Sequence, residues 1–236
     1  MKKQKGFTLI EIMISLLLGL IVIGGALSIY ISTVKGGADT GKSARLNYDL
    51  EAVMQFMVND IRRAGYWGNA VTGSNANLNP FTNSTTSANI QVIPASSCIL
   101  YTYDADADGT PNNGEFYGFK LDSGTVKTSS ANTVDDTGNC SKTDSRWIDI
   151  LDSDKVEVTA LTFSEANSQC LNATTSIIYP SACSVAVTAG NITTGQIAVE
   201  IRQIDIILSG RVKNDTAVIK TLSGTVKVRN NRIFTQ

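Results

Sequence analysis

The hydrophobic pattern changes character twice along the chain. From Phe7 to Ile31 it reads FTLIEIMISLLLGLIVIGGALSIYI, an apolar run whose one charge is Glu11. Roughly 20 apolar residues cross a bilayer as helix, so this run is long enough to do so. Past it, Leu46, Leu50, Val53, Met54, Met57, Ile61 and Ala64 recur at spacings of three and four, with Asn47, Glu51, Gln55, Asn59 and Arg62 elsewhere around the helix. That period predicts an amphipathic helix with one face for packing on a sheet. A helix unbroken from Phe7 to Ala64 would be on the order of 85 Å long. Gly19, Gly24, Gly25, Gly36, Gly37 and Gly41 fall within it, each costing about 1 kcal/mol relative to alanine. Within lipid the backbone must still bond internally, so the free chain should stay helical there.

The third regime is β-like. Residues 69–97 are rich in Ser, Thr and Asn and read as long loops with short strands. Strands are expected at Gln91–Ile93, Ile99–Tyr103, Glu115–Leu121, Val156–Phe163 and Ala198–Leu208. Two last runs, Ala217–Leu222 and Thr225–Val228, flank Ser223-Gly224, a two-residue hairpin turn. The fold class is α+β: one long helix packed on a mainly antiparallel β-sheet with elaborated loops.

Composition narrows the function. The 236 residues carry a net charge of −1, which gives no reason to expect nucleic-acid binding. Lys2, Lys3 and Lys5 precede Gly6, and a basic tip before an apolar run is a membrane-targeting pattern with the basic end cytoplasmic. Histidine is absent. That excludes Ser-His-Asp and Cys-His catalysis, HExxH metal sites and histidine pH switches, and no nucleophile motif points to an enzyme.

Cys98, Cys140, Cys170 and Cys183 form no CxxC pair, which weakens zinc and thioredoxin-like readings. Their even number suits an oxidising compartment and two disulfides. Three pairings exist; Cys98–Cys140 with Cys170–Cys183 closes the shorter loops and is favoured. The alternative is four buried thiols.

The apolar run is longer than a signal-peptide core and no A-x-A-like site follows it; small Gly6 lies before it instead. Glu11 sits four residues past Phe7. A carboxylate in an apolar span costs about 2.5–3.5 kcal/mol on insertion scales and marks a functional candidate. A cut after Gly6 would free an amine at Phe7 that needs such a partner in low dielectric. The alternative is a carboxylate snorkelling to water at the membrane edge.

KGFTLIE, Lys5 to Glu11, resembles the class III prepilin signal of type IV pilins and type II secretion pseudopilins. The resemblance implies cleavage between Gly6 and Phe7 by a prepilin peptidase and N-methylation of Phe7. It also implies that Glu11 recruits subunits and neutralises a neighbour's N-terminus in the filament. Four segments follow: residues 1–6 as leader, 7–31 as transmembrane and filament-core helix, 32–65 as its amphipathic continuation and 66–236 as a periplasmic head. The helix is expected to melt near Gly24–Gly25 on filament entry. NDIRRAGYWGNA, Asn59 to Ala70, resembles the helix ending of PilW-type minor pilins through Arg62, Ala64, Gly65, Tyr66 and Gly68. Asn69 stands where that family often carries a cysteine. Gly65 suits a helix C-cap, and Tyr66–Trp67 is expected to wedge the helix end against the sheet. VKVRNNRIF, Val226 to Phe234, resembles the terminal strand of such heads. The J-type minor pseudopilin is the alternative within the superfamily.

One head segment suggests a ligand. Asp104, Asp106, Asp108 and Gly109, with Glu115 six residues on, fit the D-x-[DN]-x-[DN]-G-x₅-E calcium-loop pattern. Side chains of Asp104, Asp106, Asp108 and Glu115, the carbonyl of Thr110 and Asn112 directly or through water are the candidate ligands. Strand-like flanks predict a calcium loop in a β-hairpin; a solvated acidic turn is the alternative. No other cofactor is implied.

The expected function is that of a minor pilin acting in priming or assembly of a type IV pilus filament or its tip complex. The resemblance implies other minor pilins, the major pilin, an inner-membrane platform protein and a tip adhesin as partners, with the prepilin peptidase/methylase as processing enzyme. The implied location is the bacterial inner membrane, single-pass with a periplasmic head, and then the filament or its tip. An adhesin-like binding head is the alternative from another class.

Overall fold

The computed structural model describes residues 6–68, 70, 79–82, 90–93, 97–129, 140 and 147–236. The leader lysines, Asn69 and most of the Ser/Thr/Asn-rich stretch lie outside these. The chain divides into two compact units, Met1–Arg45 and Leu46–Gln236.

Helix α1, Leu9–Ile61, contributes to both units and is continuous through Gly24 and Gly25. In the first unit no residue of α1 is buried, and its apolar side chains, from Leu9 to Val34, are exposed all round the helix. It is long and apolar enough to cross a membrane. An all-round apolar helix needs lipid or other helices as its surroundings. At Leu46 the pattern becomes one-sided: Leu46, Leu50, Val53, Met54, Met57, Val58 and Ile61 are buried, as is Ala64 beyond the helix end.

That stripe is covered by the second unit's strands. Strands β1 (Gln91–Ile93), β2 (Cys98–Thr102), β3 (Phe116–Asp122), β4 (Thr125–Ser129) and β5 (Trp147–Asp149) form one sheet in chain order. Strands β6 (Val156–Ser164), β10 (Gln203–Val212) and β11 (Asp215–Lys227) form a second, with β10 central. The third has the order β12-β9-β7-β8, from β7 (Gln169–Asn172), β8 (Ile177–Tyr179), β9 (Ile197–Ile201) and β12 (Arg232–Thr235). Every pairing among the described residues is antiparallel. Along β10, Ile204, Ile206 and Leu208 alternate inward, joining the α1 stripe, Leu161, Phe163, Phe119 and Tyr101 in one core.

Three strand expectations are corrected. Ala198–Leu208 is two strands, because buried Arg202 breaks the run and the chain passes from one sheet to the next. Val226–Phe234 is likewise divided, between β11 and β12. Ser223-Gly224 is no turn: Ser223 pairs with Ile207 and Gly224 with Ile206 within β11. The hairpin closes instead at Asn214, at φ +63°. Gly224 is needed for the helix, since a Cβ there would lie 2.7 Å from Met54 Sδ.

The cysteines anchor two satellite clusters. A disulfide joins Cys98, at the start of β2, to Cys140 beside Leu100 and Trp147. Another joins Cys170 on β7 to Cys183 at the start of α2 (Cys183–Thr188), packed with Ala186, Ile192 and Ala198.

Candidate functional site

In the first unit, Gly6, Phe7 and Thr8 precede the helix and are exposed. Thr8 begins the first turn: its carbonyl accepts from the N–H groups of Glu11 at 3.1 Å and Ile12 at 3.3 Å. The Glu11 side chain turns back, and its Oε2 accepts from the Thr8 N–H at 3.5 Å. This is one half of a capping box, the reciprocal bonding of a Thr-x-x-Glu helix start. Thr8-Leu9-Ile10-Glu11 carries that signature in the sequence, a signal that the membrane reading of Glu11 passes over. The bond sets a carboxylate against the positive end of the helix, one residue from the Phe7 nitrogen.

In the second unit, the end of α1 is clasped. Gly65 has φ +72°, and its N–H donates to Thr102 O on β2 at 2.8 Å instead of back into the helix. A Cβ on Gly65 would lie 2.8 Å from Thr82 Cγ2 and 3.1 Å from Asn230 O, so both the turn and the packing require glycine. Asn230 Nδ2 donates to the carbonyls of Arg63 and Ala64, and the buried Arg202 guanidinium donates to Asn230 O. Tyr66 docks through its backbone: its carbonyl accepts from Asp104 N at 3.0 Å, while its ring is exposed. At Tyr66 the expected aromatic wedge is instead a backbone clasp, while Trp67 is half-buried.

The acidic loop follows β2. One oxygen each from Asp104, Asp106 and Asp108 lie within 4.8 Å of one another. Asp104 is buried, and its Oδ2 accepts from Gly68 N at 2.8 Å and Gly109 N at 3.1 Å. Asp106 and Asp108 are exposed and accept from Asp108 N and Thr110 N respectively. Glu115 is outside this group. Its carboxylate accepts from Ala105 N at 2.7 Å and Asn112 N at 3.0 Å, closing the loop from within. Burial pushes the Glu115 carboxyl above its usual range, against those hydrogen bonds. Asn112 Oδ1 caps Gly114 N and its Nδ2 donates to Asp106 Oδ2. Three of the six candidate ligands are thus brought together, and Thr110, Asn112 and Glu115 act here as parts of the loop's own bonding.

Beside the loop is a cavity of about 560 Å³ lined by Arg62, Arg63, Tyr66, Tyr103, Asp104 and Arg229, among others. The Arg63 guanidinium stacks 4.4 Å over the Tyr103 ring and pairs with Asp60. Burial, and hydrogen bonding with Tyr117, raise the Tyr103 hydroxyl far above its ordinary range, so it stays neutral. The lining comes from chain segments far apart, and no local motif foretells it.

A family model described as prepilin peptidase-dependent protein B matches residues 39–228. A second, the prokaryotic N-terminal methylation motif, matches residues 1–27. No curated protein matches. Among solved structures, a type IV-like pilin from Thermus thermophilus is similar at 12% identity and a TM-score of 0.39, covering 79% of this chain and 97% of its own.

Proposed function

Because the chain belongs to the prepilin peptidase-dependent protein B family, type IV pilin-like subunits that here also carry the N-terminal methylation motif, we propose that it is a minor pilin acting in priming a type IV pilus or its tip complex. The peptidase cuts between Gly6 and Phe7, and the new Phe7 amine is methylated. The apolar helix holds the subunit in the inner membrane, head in the periplasm, until it is drawn into the filament. There Glu11 offsets the positive charge of a neighbour's N-terminus, and the all-round apolar surface of α1 packs on other pilin helices. Its partners are other minor pilins, the major pilin, the platform protein and a tip adhesin.

The observation that carries this reading is the Glu11–Thr8 bond at the head of an uncovered apolar helix. It keeps a carboxylate at the terminus that processing would create, where a buried amine needs a counter-charge.

Mass spectrometry of the mature chain tests the first step: a methylated phenylalanine at the start is expected, and an intact Met1 would overturn it. Glu11→Ala tests the second. The variant should be processed and membrane-bound yet depleted from sheared filaments, and normal incorporation would remove the role given to Glu11.

A further inference from the structure

We propose that the loop from Asp104 to Glu115 binds one calcium ion, and that the ion stiffens the clasp at the end of α1. The three aspartates alone would not carry this, since acidic turns are common at surfaces. The decisive group is Asp104. Only 2% of it is exposed, its Oδ2 takes two backbone N–H groups, and its Oδ1 is buried with no hydrogen-bond donor. A buried anionic oxygen without a partner is strongly disfavoured. Asp104 supplies an oxygen to the group it shares with Asp106 and Asp108, so a cation held there would neutralise this buried carboxylate and relieve the repulsion among the three.

The order of residues says which cation. Carboxylates occupy the first, third and fifth positions, and Gly109 at the sixth has φ +80°, the conformation needed for the sharp turn of a twelve-residue calcium loop. All donors are oxygens, and two of the three aspartates are open to water, which can complete calcium's six to eight ligands. Magnesium demands near-ideal octahedral geometry and dehydrates reluctantly, so it fits poorly. Glu115 serves as the clip that holds the loop's two ends, at Ala105 and Asn112. The loop joins β2 to β3, where helices flank the more familiar version.

The coupling to the clasp runs through the same residue. Asp104 N donates to Tyr66 O, and Asp104 Oδ2 accepts from Gly68 N. A cation that fixes the Asp104 carboxylate therefore also fixes the segment that turns away from α1 at Gly65.

The test uses the full chain in detergent micelles, stripped with chelator and titrated with calcium chloride in a calorimeter. One ion should bind with a dissociation constant of about 10⁻⁴–10⁻³ M, the range of extracellular calcium modules. Calcium should raise the melting temperature and slow hydrogen exchange at the Gly68 amide. The paired substitutions Asp106→Asn and Asp108→Asn, both at exposed positions, should weaken binding at least about tenfold without lowering the calcium-free melting temperature, since they remove the same repulsion. Absence of heat and of any melting shift at about 10 mM calcium would overturn the site. So would equal binding by the double variant, or a magnesium response as large as that to calcium. Binding without slower exchange at Gly68 would overturn the coupling to the clasp.

Discussion

The hydroxyl of Tyr101, on β2, donates to the carboxylate of Asp60 in the last turn of α1, and both side chains are buried. Arg63 holds the other carboxylate oxygen. Burial, the Asp60 charge and this hydrogen bond keep the Tyr101 hydroxyl well above its ordinary range, so it is a neutral donor at any physiological pH. Tyr101→Phe leaves the ring's packing intact but strips a buried carboxylate oxygen of its donor. The expected loss is about 1–3 kcal/mol, read as a lower urea midpoint with unchanged slope for the full chain in detergent.

Gly224→Ala should also destabilise, by about 1–3 kcal/mol, because the added methyl overpacks against Met54. The penalty should shrink by at least about 0.5 kcal/mol when Met54 is already alanine. A double-mutant cycle measures this. A Gly224 that merely formed a turn would show no coupling to the helix.

The two disulfides close loops of different length, with sequence separations of 13 for Cys170–Cys183 and 42 for Cys98–Cys140. On the chain-entropy model they contribute about 3 and about 4 kcal/mol respectively. Replacing each pair with serine should therefore lower the melting temperature, more so for Cys98 and Cys140. Non-reducing peptide mapping of the wild type should recover these two linked pairs and no others.

Asp205 gives the head an acid sensitivity. Partial burial pushes its carboxyl up, but hydrogen bonds from Asn167, Thr225 and Gln203 more than reverse this and hold it below the ordinary value of 3.8. A carboxyl more acidic in the folded state than in the unfolded one stabilises above the unfolded value, and that contribution is lost as pH falls through the folded value. Asp205→Asn should therefore melt earlier than wild type at pH 7, with the gap narrowing as pH falls below the unfolded carboxyl value of 3.8. Thermal scans of both proteins across that range check the sign.

Much of the helix was legible in the sequence. The stripe from Leu46 to Ala64 is buried as its period implies, with Val58 added, because helical spacing is a local property that tertiary structure rarely overturns over so many turns. Gly224 misleads for the opposite reason: beside Ser223 it looks like punctuation, and only the approach of Met54 across the core explains it. Arg202 is neither Gly nor Pro, so nothing local announces that the chain changes sheet there. In the acidic loop, the order of Asp104, Asp106 and Asp108 was readable. The inward turn of Glu115 was not, since it depends on the N–H groups of Ala105 and Asn112 finding no other acceptor. The cavity beside Tyr103 was invisible, being assembled from residues around 59–66, 103–105 and 229–230.

Asn230 holds the carbonyl of Ala64 across a sequence separation of 166, and the strands that seat α1 include β10 and β11, near the end of the chain. The head emerges from its N-terminal end, so this particular latch forms only once Asn230 has arrived. Until β10 and β11 arrive, the part of the α1 stripe that they cover stays open. A chain halted before β10 would leave much of that sticky side open to capture by a chaperone or a protease.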